Sequence, residues 1–143
     1  MSLPDLETWL ARWHTPERER LGVRGTRIED GFAAFVVDLR YGDEREHDPL
    51  FASAALTHAA DIAALSAVMG HLDEHIQQQN GTASLHLNFL QPLSGVLTVE
   101  ARVASWGHHD SIVEISARDQ RGVPVLKGLC TYSLRPRAPR GDS

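Results

Sequence analysis

The chain has 143 residues, of which 42% are hydrophobic and 23% charged, the balance of an ordinary soluble domain with a core large enough to fold alone. Its formal net charge of -5 argues against a general nucleic-acid binder, because neutralising phosphates needs a basic surface. Cys130 is the only cysteine, which excludes an intrachain disulfide and a cysteine metal cluster, and no uninterrupted apolar run approaches the ~20 residues of a membrane span.

Leu3, Leu6, Trp9, Leu10 and Trp13 recur at helical spacing, with Ser2 placed to cap and Asp5 and Glu7 suited to the positive end of a helix dipole. The spacing predicts an N-terminal helix within residues 1–16 that ends near Thr15-Pro16 and docks through its two tryptophans. Acidic and basic residues among the apolar ones do not fit a signal peptide, so a cytoplasmic location is expected. Glu29-Asp30-Gly31 reads as a turn. Phe32 to Tyr41 alternates as a strand, paired with Gly22 to Ile28, and Gly42 to Pro49 is a charged loop.

Leu56 to Met69 reads as a buried, alanine-rich helix with Asp61 inside it. An ionised carboxylate in such company loses hydration and needs a partner, a ligand or an interface. Gly70 and Asn80-Gly81 bracket the helix end, so Gln77 to Asn80 is expected to be its polar terminus. Thr82 to Leu90, Val96 to Trp106, Ser111 to Arg118 and Val123 to Leu134 then alternate between short turns. Such short connections require antiparallel pairing. Arg135, Arg137 and Arg140, set among Pro136, Pro139 and Gly141, read as a flexible tail over residues 135–143.

The expected architecture is therefore α+β and a single domain over residues 1–143: a four- or five-stranded antiparallel sheet, helix first and meander after, with one long helix against it. A helix with small residues on nearly every side is buried on nearly every side. One flat sheet cannot do that; a sheet curling around the helix, or a second subunit, can.

Ala59-Ala60-Asp61 and Asn88-Phe89-Leu90-Gln91-Pro92, followed by Gly95, Val99-Glu100-Ala101-Arg102-Val103, the Gly107 turn and Asp119-Gln120-Arg121-Gly122, occur in an order that resembles the hotdog-fold thioesterase superfamily, PaaI-like (phenylacetate-pathway) group. The resemblance runs from about Leu21 to Leu134. It implies a curved antiparallel sheet wrapped around the central helix, and a homodimer joined edge to edge, often paired again into a homotetramer. It implies an acyl-coenzyme A substrate bound at the subunit interface, with coenzyme A present only as part of that substrate and no separate cofactor, metal, nucleic acid or membrane partner. Asp61 falls at the catalytic carboxylate, as general base or nucleophile. The backbone amide that holds the oxyanion falls on Ser53, where Ala52-Ser53-Ala54 replaces the family's His-Gly-Gly.

Around these, Ser53 also suits a helix cap. Thr57 and Leu65 lie one turn either side of Asp61 and share its face, with Ala54 a turn further, so all three are candidate substrate contacts. His58, three residues before Asp61, is a further candidate substrate contact, placed to pair with that carboxylate or to pack as a core or interface histidine, and Asn88, on a strand expected near the interface, is a candidate ligand contact or a structural hydrogen-bond partner. His71-Leu72-Asp73-Glu74-His75 formally matches a zinc-peptidase pattern on one helix face, but reads as a solvated helix end. His108-His109 reads as an exposed turn or a phosphate contact, and Cys130 as an inert packed thiol. These residues predict a thioesterase acting on a small or aromatic acyl-CoA. The alternatives are a non-catalytic hotdog protein that binds such a ligand, favoured by the missing glycines and the apolar Leu65, and a structural dimeric partner of another enzyme.

Overall fold

The computed structural model describes residues 6–12, 15–40 and 48–138. Two short helices, α1 (Leu6–Arg12) and α2 (Pro16–Leu21), precede strands β1 (Val23–Glu29) and β2 (Phe32–Asp38), then the long helix α3 (Pro49–His71), then β3 (Gln77–Phe89), β4 (Val96–Trp106), β5 (Asp110–Arg118) and β6 (Pro124–Pro136). The strands form one six-stranded antiparallel sheet in the order β1-β2-β4-β5-β6-β3, curved around α3 as in a hotdog fold. That is one strand more than the upper expectation, because β1 pairs along all of β2. The meander holds for β4, β5 and β6 alone. β3 precedes them in sequence yet lies beyond β6, at the sheet edge.

α3 starts where Asp48 turns extended: its Oδ1 accepts from the amides of Leu50 and Phe51 at 3.0 and 3.2 Å, and Pro49 takes the first helical position, where a missing N–H costs nothing. Ala55, Ala59, Ala60, Ala63, Ala64 and Ala67 are fully buried. Their short side chains bring the sheet close on several sides, where Phe35, Val37, Leu97, Val99, Ile115 and Leu126 close the core. Gly70 lies so near the Glu29 carbonyl that a Cβ there would overlap it, which fixes the end of α3 against the β1–β2 turn. In that turn Gly31 takes φ +68°, as Glu29-Asp30-Gly31 predicts.

By length and composition α3 can cross a membrane, with a mean hydropathy of 1.4 over its most apolar window, although its apolar residues are interrupted by Ser53, Thr57, His58, Asp61 and Ser66. Here 61% of that window is buried inside the same molecule. The hydropathy is that of a core helix wrapped by its own sheet.

Two local expectations are corrected and one is extended. The first helix ends before Thr15-Pro16, at Arg12, and the same pair also opens a second helix: Thr15 Oγ1 accepts from the Arg18 amide at 3.3 Å and Pro16 starts α2. Gln77 to Gln79 and Asn80-Gly81 belong to β3, not to a helix terminus, because Gln77 is buried and satisfied by a distant hairpin. Its Nε2 donates to the carbonyls of Gly107 and His108 at 2.9 and 3.1 Å, and its Oε1 accepts from Trp106 Nε1 at 2.9 Å. Arg135 and Pro136 end β6 in register with Gln78 and Gln77 rather than starting a tail. Residues 139–143 of that expected tail lie outside the described residues. So do Leu3, Trp13 and most of the charged loop, whereas Trp9 docks as expected, buried, with its Nε1 donating to the buried Ser66 Oγ at 2.9 Å.

Candidate active site

One face of α3 stays partly open and carries Leu50, Ala54, Thr57, His58, Asp61 and Leu65, spaced at three and four residues. It runs from Leu50, 82% exposed, to Leu65, which packs partly on the core. Asp61 is half-buried on this face, and its Oδ1 accepts from the Thr82 hydroxyl of β3 at 2.6 Å.

Thr82 was not among the expected site residues, and the backbone explains why. Leu85 and Leu87 face the core, so strict alternation would turn Thr82 away from the helix. The β3–β6 register shifts between Gln79 and Thr82 and again between Thr82 and Ser84, around Gly81 at φ +93°. These irregularities re-aim the hydroxyl at Asp61. A polar residue just after Asn80-Gly81 is the available signal, hidden while that pair is read as the end of a helix.

Behind Thr82 lie Cys130 and Tyr132 of β6. Burial, reinforced by the Asp61 charge, pushes the Cys130 thiol up to about 11 and the Tyr132 phenol up to about 12. Both stay protonated at neutral pH. Among the described residues Asp61 is then the only carboxylate on the open face, and it is held by one hydroxyl.

His58 is not paired with Asp61. Its Nε2 accepts from Arg18 Nε at 3.1 Å, and Arg18 Nη1 donates in turn to Thr15 Oγ1 at 3.2 Å. Burial and the Arg18 cation lower the His58 pKa, and the Asp61 charge offsets part of that. Arg18 is not among the expected site residues either: it stands on α2, in a stretch between Thr15-Pro16 and Gly22 where the periodicity predicts no element.

Ser53 neither caps α3 nor leads it. Asp48 is the cap, and Ser53 sits a full turn inside, so the i to i−4 ladder directs its amide to the Pro49 carbonyl while its own carbonyl accepts from Thr57 Oγ1 at 2.7 Å. The two leading amides are already taken by Asp48. Thr57 and Ala54 do share the open face with Asp61; Asn88 does not. It lies on the outer face of the sheet in a groove with Glu100, Arg102 and Lys127.

The His71 to His75 segment divides at the end of α3. His71 Nδ1 lies 2.6 Å from Asp30 Oδ1 with its ring edge-on to Trp106 at 4.6 Å, and His75 falls in the following turn. Among the described residues no three His, Cys, Asp or Glu side chains converge as a metal site. His108 and His109 are exposed in the β4–β5 turn.

A profile of the thioesterase superfamily matches residues 53–125. No curated protein sequence matches the chain. Among solved structures, a mutant thioesterase from Pseudomonas aeruginosa superposes with a TM-score of 0.78 at 23% identity, covering 95% of this chain and 97% of its own. A thioesterase from Haemophilus influenzae gives 0.75 at 17% identity, covering 95% and 92%. A thioesterase family protein from Silicibacter pomeroyi gives 0.69 at 17%, covering 92% and 95%. At these identities the structural likeness establishes the shared fold.

Proposed function

The chain belongs to the thioesterase superfamily, and from that premise we propose that it hydrolyses an acyl-coenzyme A thioester with Asp61 as general base. The observation that carries this reading is the Asp61 carboxylate on the open face of α3, held by Thr82 at 2.6 Å beside a thiol and a phenol that stay protonated. Thr82 uses one carboxylate oxygen and leaves the other for water.

In the proposed reaction that oxygen takes a proton from water as the water oxygen bonds to the thioester carbon. The carbonyl π electrons move to oxygen. Collapse restores the carbonyl and breaks the carbon–sulfur bond, and the proton held on Asp61 passes to the departing sulfur. The products are a carboxylic acid and free coenzyme A, and Asp61 returns ionised. General-base help of this kind is worth ~10²–10⁴ in rate.

The acyl group we propose is small or aromatic, as in the PaaI-like group, with Leu65 as an apolar wall beside Asp61 on the open face. The assembly we propose is a homodimer. The 13-residue β3 is an edge strand whose outer backbone groups need a partner, and its Thr82 adjoins the open face of α3. A second copy laid along β3 would cover both.

Thiol release from short, medium and aromatic acyl-CoAs tests the reading, with wild type and Asp61→Asn side by side. The expected result is turnover on at least one small or aromatic ester that collapses in the variant. A second reading, a binding protein without turnover, draws on the Ser53 amide being occupied within the helix. It predicts that CoA esters raise the melting temperature while no thiol appears.

A further inference from the structure

Thioester hydrolysis needs a donor aimed at the carbonyl oxygen as it gains charge, and removing such a donor costs about 10²–10³ in rate. The helix amides that would serve here are occupied: Leu50 and Phe51 by the Asp48 carboxylate, Ala52 by the Asp48 carbonyl at 3.1 Å, and Ser53 within the helical ladder. The donor has to come from elsewhere on the same face.

His58 meets the requirement. Arg18 has only donors to offer, so its contact with Nε2 at 3.1 Å makes that nitrogen an acceptor. In the neutral ring the proton then sits on Nδ1. Among the described residues no group takes that Nδ1–H, and the ring stands three residues before Asp61 on the same open face. We infer that the His58 Nδ1–H is the hydrogen bond that holds the thioester oxygen, with Arg18 as the positioning residue that fixes its tautomer. This rests on the thioesterase reading above. The pairing of donor and base one helical turn apart sets carbonyl oxygen and attacking water over one stretch of α3. The Arg18 cation behind the ring polarises the Nδ1–H further, and burial together with Arg18 keeps the ring neutral at neutral pH.

Two measurements test it. Nitrogen-15 shifts of the His58 ring read the tautomer without any substrate: Nδ1–H is expected in the wild type, moving toward Nε2–H in Arg18→Ala. Thiol release then compares wild type, Asp61→Asn, His58→Ala and His58→Gln. His58→Ala is expected to lose kcat about 100-fold at nearly constant KM, and His58→Gln, which keeps an N–H donor, to regain part of it. Should His58→Ala not fold, Arg18→Ala and His58→Gln carry the test.

An Nε2–H ring in the wild type overturns the inference whatever the turnover. Unchanged kcat in His58→Ala with an inactive Asp61→Asn overturns it and leaves the thioesterase reading standing. No thiol release from the wild type overturns both.

Discussion

The middle and the C-terminal end of α3 hold the same pair of residue types in opposite arrangements. At the C-terminal end His71 meets Asp30 at 2.6 Å, and Gln77, Trp106 and the 107–108 carbonyls tie the surroundings into one network. In the middle of the helix His58 turns to Arg18, and Asp61 is left to one hydroxyl. A histidine beside an acid satisfies it; a histidine drawn off by a cation leaves the acid available. The first arrangement joins helix to turn. The second is the one that chemistry can use.

The contrast breaks most sharply on the carboxylates. Asp61→Asn is expected to lower kcat/KM for the best thioester by about 10³-fold, whereas Asp30→Asn leaves it within about twofold, both read by thiol release. Equal losses would erase the distinction between the two regions. Next in size is Gly70→Ala, which forces a methyl group against the Glu29 carbonyl and separates α3 from the turn that carries Asp30. Denaturant unfolding should report a loss of about 1–3 kcal/mol, with turnover per folded molecule little changed.

Thr82→Val sharpens the active half. It keeps the shape and removes the hydroxyl, so kcat should fall about tenfold at constant KM, and Thr82→Ser should restore most of it. The smallest effect concerns pH. The charged groups facing His58 are Arg18 on α2 and Asp61 on α3, and the folded ring binds a proton less readily than the unfolded one. The folded protein therefore carries stability that is fully present above the ordinary histidine pKa of about 6.5 and is lost as pH falls through the lowered value. Thermal melts should drop more steeply on acidification in the wild type than in His58→Gln.

Much of the frame is legible from residue order. The alternation of β4, β5 and β6, the turn at Gly31 and the alanine-rich α3 follow from periods and turn residues that tertiary contacts did not override. Legibility fails where one letter serves two structures. A proline stops a helix or opens one, and Thr15-Pro16 opens α2 because Thr15 Oγ1 reaches the Arg18 amide. Asn80-Gly81 marks a turn or a bulge, and it is a bulge because Gln77 finds partners in a hairpin thirty residues on.

At the site, Asp61 announces itself as an acid among alanines, and Thr57, Ala54 and Leu65 follow by helical geometry. Thr82 and Arg18 do not: the bulge that aims Thr82 rests on contacts of Gln77 distant in sequence, and the six-residue α2 that carries Arg18 is too short to show a period. Ser53 and Asn88 were placed by resemblance, and the local backbone sends their groups elsewhere: the Ser53 amide into the helix, and Asn88 to the far side of the sheet.

The place of β3 in the sheet bears on how the protein is made. Its only strand neighbour among the described residues is β6, which is synthesised after β4 and β5. Until the ribosome has delivered β6, Leu85, Leu87 and Phe89 ride on a strand with neither edge paired, and Asp61 has no fixed wall opposite. The acid and its hydroxyl therefore come together among the last events of folding, and a chain truncated within β6 would fail at the site and at the sheet in the same step.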